Sequence, residues 1–289
     1  MNFREQIPKT LCFIFARAFG RDRVGTETIM SRIKIWRKGK LLTRVLGPLF
    51  KPNHFKIEIE ITTDCNLNCY NCNRSCRQAP SEENMSVAQI KKFVAESIGA
   101  GRRWARIRIL GGEPTLHPQF FEILEVLIRY KREYSPETVL MVVTNGFGEK
   151  VQAVIARLPP EIVLENTKKR SARNMFDSFN VAPVDLPEYK GVDYTNACHA
   201  CSMFAIALTR YGYYPCGAGA GIDRVFGFNI GKKTLPPVTD GMQDQLSVLC
   251  RYCGHFKHHI QGTDKEQFSP VWQEAYKKYA QQKPKLDLY

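Results

Sequence analysis

The chain has 289 residues, of which 44% are hydrophobic, 11% aromatic and 24% charged, with a formal net charge of +14. This is the balance of an ordinary globular protein, and it excludes a collagen, a coiled coil or a disordered tail. No apolar run approaches the roughly 18 residues a membrane-spanning helix needs.

At roughly 150 residues per domain, the length allows one large unit or two small ones. The early stretch Leu11–Ala16 is shorter than a secretory signal core of about 7–15 residues, so the sequence reads as cytoplasmic. The charge is uneven: residues 1–54 hold twelve Lys or Arg against three acids, a surplus of +9, and the other 235 residues carry +5. Basicity therefore describes the first segment more than the catalytic body. The ten cysteines stand at 12, 65, 69, 72, 76, 198, 201, 216, 250 and 253. Nine fall in two clusters, and in a reducing compartment clustered thiols suggest metal or redox cofactors more than disulfides.

In chain order, residues 1–54 read as a basic, amphipathic, helical segment. Leu41, Leu42, Val45, Leu46 and Leu49 recur at helical spacing, with Lys38, Lys40 and Arg44 off that face. The simplest expectation is a helix pair packed on the body. The alternative is contact with an anionic membrane surface or another polyanion, making the protein membrane-peripheral; Trp36 at a boundary suits anionic lipid. Residues 55–63 alternate, with Ile57, Ile59 and Ile61 on one side and Lys56, Glu58, Glu60 and Thr62 on the other, and predict a strand. Helices near 86–100, 118–133 and 148–157 then take turns with strands near 104–110, 138–144 and 161–166. Alternation of this kind predicts an α/β fold with a parallel sheet and right-handed crossovers. Too few residues separate Asn166 from Cys198 for a complete eight-fold barrel, so the barrel is truncated.

After Cys198 the character changes. Residues 204–210 and 213–215 predict a hairpin turning at Gly212, followed by Gly-rich chain over 217–231, together a small second domain. A final helix from Pro270 presents Val271, Trp272, Ala275, Tyr276 and Tyr279 as a docking face. The domains expected are 1–54, a partial barrel over 55–190 and a cluster-bearing unit over 191–289.

Directly after the first strand comes C-x-x-x-C-x-x-C, formed by Cys65, Cys69 and Cys72 in a loop. Three thiolates from one loop can hold three corners of a 4Fe-4S cube and leave one iron open. Spacing alone leaves two other readings: a closed zinc site completed by Cys76, and unliganded thiols. The second strand ends in Gly111-Gly112-Glu113-Pro114, where ligands bind in parallel α/β folds. The glycines permit close approach to the backbone, and Glu113 can accept from an ammonium group. If the isoleucine faces pack under the helices, Glu58, Glu60, Arg106 and Arg108 face the lumen. Charges are costly there unless paired, so a ladder of ion pairs is the first expectation and a role toward substrate the second.

With the cysteine loop after strand one and GGEP after strand two, the sequence resembles the radical S-adenosylmethionine (SAM) superfamily over about residues 55–166. The resemblance implies that Cys65, Cys69 and Cys72 hold a SAM-binding 4Fe-4S cluster. Gly111, Gly112 and Glu113 would cradle the methionine amino end. Thr144-Asn145-Gly146 sits where the family often has a TNG ending strand three, and Asn166 where it usually has a ribose-contacting polar residue. One departure is visible: the usual aromatic before the third cysteine is replaced by Asn71, with Tyr70 beside it.

Cys198, Cys201, Cys216, Cys250 and Cys253 offer five thiolates for four places. A structural zinc, a redox dithiol and a second iron-sulfur cluster are all compatible with the spacing. Within the superfamily, Tyr211–Cys216 and Cys250-Arg251-Tyr252-Cys253 resemble the twitch half of a SPASM-type auxiliary domain. That likeness implies a second, auxiliary 4Fe-4S cluster on Cys198, Cys216, Cys250 and Cys253, with Cys201 spare. Cys198, Cys201 and Cys216 alone would instead resemble the three-cysteine site of the GTP-cyclising enzymes, but then Cys250 and Cys253 have no task.

The resemblance implies an enzyme that cleaves SAM and abstracts hydrogen from a small-molecule or peptide substrate, fed by an electron donor such as flavodoxin or ferredoxin. A net two-electron oxidation of a sugar or aminocyclitol is the nearest match, and a peptide-modifying maturase the rival. From another class, a zinc-stabilised nucleic-acid-binding protein would use the basic arm with steeply salt-dependent affinity. It would have no use for GGEP, and no nucleic-acid partner is expected. His255, His258 and His259 read as surface or outer residues, His117 as a helix-start residue and Cys12 as a buried small side chain.

Overall fold

The computed structural model describes residues 31–169, 178–257 and 266–289. Cys12, His258 and His259 lie outside the described residues. Five strands run parallel in one open sheet and a sixth closes its edge, in the order β4-β3-β2-β1-β5-β6. The strands are β1 (Lys56–Thr62), β2 (Arg106–Gly111), β3 (Val139–Thr144), β4 (Ile162–Asn166), β5 (Ile206–Thr209) and β6 (Gly212–Tyr214). The sheet does not close, so the fold is the partial β/α barrel that the alternation predicts.

The β1 alternation acts as expected. Ile57, Ile59 and Ile61 are fully buried with Ile107 and Ile109 of β2 in a core that includes Ile90 and Phe93 of α2 (Val87–Gly99) and Ile123, Leu124 and Leu127 of α3 (Phe120–Glu133). The helix α2 begins at a capping box, in which Ser86 and Gln89 satisfy each other's backbone N–H groups. His117 serves the start of α3: Nδ1 accepts from the Gln119 N–H at 3.0 Å, and Nε2 lies 2.9 Å from the Met85 carbonyl.

The hairpin does not form a sheet of its own. β5 pairs in parallel with the free edge of β1, Ile57 opposite Ile206 and Ile59 opposite Leu208, and β6 returns antiparallel to β5. The turn falls on Arg210 and Tyr211, with Gly212 opening β6. The Gly-rich stretch, to which the sequence reading gave no regular element, includes a helix, α6 (Gly217–Phe226). Two shorter helices flank it in sequence, α5 (His199–Met203) and α7 (Gln243–Leu249), and α8 (Pro270–Gln281) covers it. Trp272, Ala275 and Tyr279 of α8 are buried with Ile222 and Val225 of α6, as the docking face predicts. The remaining helix of the sheet layer, α4 (Glu149–Ile155), follows β3.

Residues 1–30 of the N-terminal segment lie outside the described residues; in the described part Ile35 and Phe50 pack against the body, but the apolar stripe read from the sequence does not. In α1 (Lys40–Leu46) the apolar side chains face outward: Leu41 is 75% exposed and Val45 72%, and Trp36 just before it is 69% exposed. The side chains that go inward are Lys38, at 1%, and Thr43, at 6%. Among the described residues no helix is long and apolar enough to cross a membrane.

Candidate functional site

Cys65, Cys69, Cys72, Gly111, Gly112, Glu113, Thr144, Asn145 and Asn166 all lie at or just beyond the carboxyl ends of β1 to β4. The two glycines of GGEP have a defined task there. A Cβ on Gly111 would lie 2.3 Å from the Thr62 carbonyl oxygen, and one on Gly112 would lie 2.1 Å from that of Asp64. No side chain fits, and the Gly112 and Glu113 N–H groups donate to Thr62 O and Asp64 O at 2.8 and 2.7 Å. The end of β2 is thus fastened to the entry of the cysteine loop. The glycines serve this backbone approach.

Glu113 is fully buried, and its carboxylate ties three segments together. Oε1 accepts from the Thr115 N–H, the Thr115 hydroxyl and the Thr144 hydroxyl at 3.2, 2.7 and 2.8 Å, and Oε2 accepts from the Asn145 N–H at 2.7 Å. A carboxylate has about four lone-pair sites, so Oε2 retains acceptor capacity. Asn145 reaches back to the loop, its Nδ2 donating to Asn66 Oδ1 at 2.8 Å. Asn166 stands opposite Thr144 in the β3–β4 ladder, and its Oδ1 accepts from the Lys168 N–H at 2.8 Å.

Within the loop, Cys69 and Cys76 are buried and Cys65 and Cys72 partly so. The Cys72 sulfur is held below the ordinary thiol pKa by a hydrogen bond from the Cys76 thiol, with help from the Cys76 and Arg74 N–H groups and the Arg74 charge. That is a setting built for a thiolate. Burial pushes Cys65 up to about 12, against a favourable Leu67 N–H. Asn71 has φ +52 and is fully buried; Asn tolerates the left-handed region where a bulkier aromatic would be strained. Its Oδ1 accepts from the Gln267 N–H at 3.2 Å.

Three of the four expected lumenal charges, Glu58, Glu60 and Arg108, form a ladder around a residue the sequence reading missed, whereas Arg106 joins no ion pair among the described residues and its Nε is buried without a partner. Arg74, in the cysteine loop, bonds Glu58 at 3.2 Å and Glu60 at 3.0 Å. Arg108 pairs with Glu58, and with Glu165 at 2.9 Å. Arg74 fits because α6 begins with glycine: a Cβ on Gly217 would lie 1.9 Å from its Nη1. A second missed cation, Arg224 of α6, donates to the carbonyls of Ala79 and Arg74 at 2.8 Å each and of Ser75 at 3.3 Å. By count the two lumenal acids of β1 were matched by Arg106 and Arg108 of β2, so the sequence held no signal for either cation.

The second cysteine set converges. Cys198, Cys201, Cys216, Cys250 and Cys253 line one cavity of about 10 Å³, walled by Pro215, Ile222, Leu246, Leu249 and Phe256. A space of that volume is at the lower limit for a single water. Cys216 caps α6, its Sγ accepting the Gly219 N–H at 3.4 Å, a position where the helix end favours a thiolate. The Cys201 thiol instead donates to the Pro215 carbonyl at 3.5 Å. Burial pushes Cys216 up to about 12 and raises the other four, so metal binding here is coupled to release of thiol protons. Five soft donors among apolar walls fit, by their chemistry, an iron-sulfur cluster or zinc. Among the described residues no three Cys, His, Asp or Glu side chains already close on a single metal ion.

The decisive comparison is with protein families: residues 59–164 match the Radical SAM superfamily model. The chain carries a radical SAM domain. The match spans the three loop cysteines, GGEP, Thr144 and Asn145, and of the readings open for the first cysteine set it supports the iron-sulfur one. Curated relatives include GTP 3',8-cyclase of Sulfurimonas denitrificans, 27% identical over 44% of this chain and 42% of the relative. Another is the probable GTP 3',8-cyclase of Pyrococcus abyssi, 33% identical over 31% of this chain and 26% of the relative. The chain thus aligns with less than half the length of these relatives. Among solved structures, BtrN in complex with AdoMet and 2-DOIA aligns with a TM-score of 0.43 and 16% identity, over 75% of this chain and 98% of that one. SuiB of Streptococcus suis bound to S-adenosylmethionine gives 0.28 and 15%, over 56% and 35%.

Proposed function

We propose that the protein is a radical SAM enzyme with two iron-sulfur clusters that oxidises a small-molecule substrate held on the lumenal side of its sheet. The observation that carries this reading is the convergence of five cysteines on one apolar-walled cavity, in a chain whose other cysteine set lies within residues that match the Radical SAM superfamily model. Cys65, Cys69 and Cys72 would hold the first cluster, which when bound supplies the electron that splits SAM into methionine and a 5'-deoxyadenosyl radical. Cys72 contributes a sulfur already favoured as thiolate. Glu113 offers Oε2 to the SAM amino group while its other bonds fix the ends of β2 and β3. Thr144, Asn145 and Asn166 shape the same rim, and Gly111 and Gly112 hold it against the cysteine loop. The Arg74, Arg108, Glu58 and Glu60 network gives the lumen paired charges suited to a polar substrate such as a sugar or aminocyclitol.

For the second cluster we assign Cys198, Cys216, Cys250 and Cys253, supported by the Cys201 thiol being engaged as a donor to Pro215. Four protein ligands leave no iron for substrate, so the role that fits is acceptance of an electron from the substrate, giving net two-electron oxidation. A second reading is favoured by the curated relatives, which are GTP 3',8-cyclases: Cys198, Cys201 and Cys216 as three ligands and an open iron. Metal analysis of anaerobically purified protein tests both. About eight irons per chain are expected in the wild type. Cys201→Ala retains them under the oxidation reading and loses about four under the cyclase reading, whereas zinc in place of iron overturns both.

A flavodoxin or ferredoxin is the proposed electron donor. The outward apolar face of α1 supports contact with an anionic membrane surface, because residues 31–57 contain eight Lys or Arg and no acid beside Trp36, Leu41 and Val45.

A further inference from the structure

Lys38 is the one lysine buried to 1% among the described residues. Its Nζ donates to the Phe256 carbonyl at 2.7 Å and stands 3.7 Å over the Phe256 ring, the same ring that walls the cysteine cavity. Its main chain is anchored as well, the Lys38 carbonyl accepting from the Asp193 N–H at 2.7 Å. Among the described residues Lys38 pairs with no carboxylate, although an ammonium is rarely buried without one. The groups whose charge favours its protonated form are Cys198, Cys250 and Cys253, opposed by Lys34. Lys257, half-buried near Cys253, also feels the favourable charge of Glu188.

We propose that Lys38 is the counter-charge of the second cysteine centre, a positioning residue whose fixed ammonium offsets the negative charge of the metal-bound thiolates and raises the centre's reduction potential. The proposal rests on the two-cluster reading above. Four thiolates give a protein-bound cluster net negative charge, and taking up one electron adds one more; no proton moves and the ammonium stays charged throughout. A fixed cation in a low-dielectric wall stabilises the reduced form more than the oxidised one. Burial pulls the Lys38 amine down to about 8, which leaves it charged at neutral pH. Such a device suits a centre that must receive an electron, and it ties residue 38 of the basic segment to the chemistry of residues 198–253.

The test is a reductive titration of the anaerobic, fully loaded protein with dithionite and mediators, followed by electron paramagnetic resonance, without SAM or substrate. Lys38→Met is expected to weaken one-electron reduction of the second centre about tenfold, a midpoint about 59 mV lower, while the first centre is unmoved. Lys38→Arg should restore the wild-type value. Unchanged potentials in a Lys38→Met protein that holds both clusters overturn the proposal. If Lys38→Met loses the second cluster, retention by Lys38→Arg supports the charge role and loss in both overturns it. About four irons in the wild type refute the two-cluster reading itself, and the proposal with it, before any variant is made.

Discussion

The guanidinium of Arg224, on α6, donates to the main-chain carbonyl of Arg74, in the first cysteine loop, at 2.8 Å. Through that bond and those to Ala79 and Ser75, the helix that begins at Cys216 holds the backbone that follows Cys72. The two cysteine sets are therefore joined by one buried side chain. Arg224→Met leaves several buried carbonyls unsatisfied and is expected to cost about 3 kcal/mol or more. Arg224→Lys, with a point charge in place of a planar fork, should recover only part of this, as urea unfolding midpoints will show.

Gly217→Ala tests the packing of Arg74. In an isolated helix the change gains up to about 1 kcal/mol. Here the added methyl would lie 1.9 Å from the Arg74 guanidinium and displace it from Glu58 and Glu60. Net destabilisation of about 1–3 kcal/mol is expected, as for other overpacked sites. A variant more stable than wild type would mean Arg74 is not held there.

Acid sensitivity should begin near neutrality. Burial lowers the pKa of His54 and of His117 below the ordinary 6.5, and each imidazole touches a main-chain carbonyl, Asp240 O and Met85 O respectively. A base with a depressed folded pKa contributes stability that is present above 6.5 and lost as pH falls through the folded value. Unfolding midpoints should drop between pH 7 and pH 5, and His117→Gln should make that slope shallower. An unchanged slope would place the titration elsewhere.

Replacing the outward apolar side chains separates their two uses. Leu41→Ser with Val45→Ser should change stability by no more than about 0.5 kcal/mol, because both side chains are exposed. Sedimentation with phosphatidylglycerol-containing vesicles should fall several-fold relative to wild type, with little binding to phosphatidylcholine in either protein. Marked destabilisation would show that the face is packed against the chain.

Local patterning carried the fold where one residue's neighbours decide its place. Ile57, Ile59 and Ile61 announce a strand and its buried face, and the cysteine loop and GGEP lie at strand ends as their spacing implies. Where long-range partners decide, the pattern is silent or misleading. The Gly-rich run gave no helix signal because glycine disfavours helix in isolation, yet α6 carries Gly217 and Gly221 for the close approach of residues 73–74. Arg74 and Arg224 look like surface charges in sequence and become buried ties, because their partners lie 14 to 16 and 55 to 150 positions away along the chain. Lys38 falls off the apolar stripe and is nonetheless taken inward, since its partner is the carbonyl of Phe256.

The most direct measurement of the central claim is SAM cleavage by anaerobically reconstituted, reduced protein, with 5'-deoxyadenosine quantified by chromatography. The wild type should form it, and the combined variant Cys65→Ala, Cys69→Ala, Cys72→Ala should form none while folding normally. 5'-Deoxyadenosine from the triple variant, or its absence from iron-loaded wild type, would contradict the assignment of these three sulfurs to an open-cornered cluster.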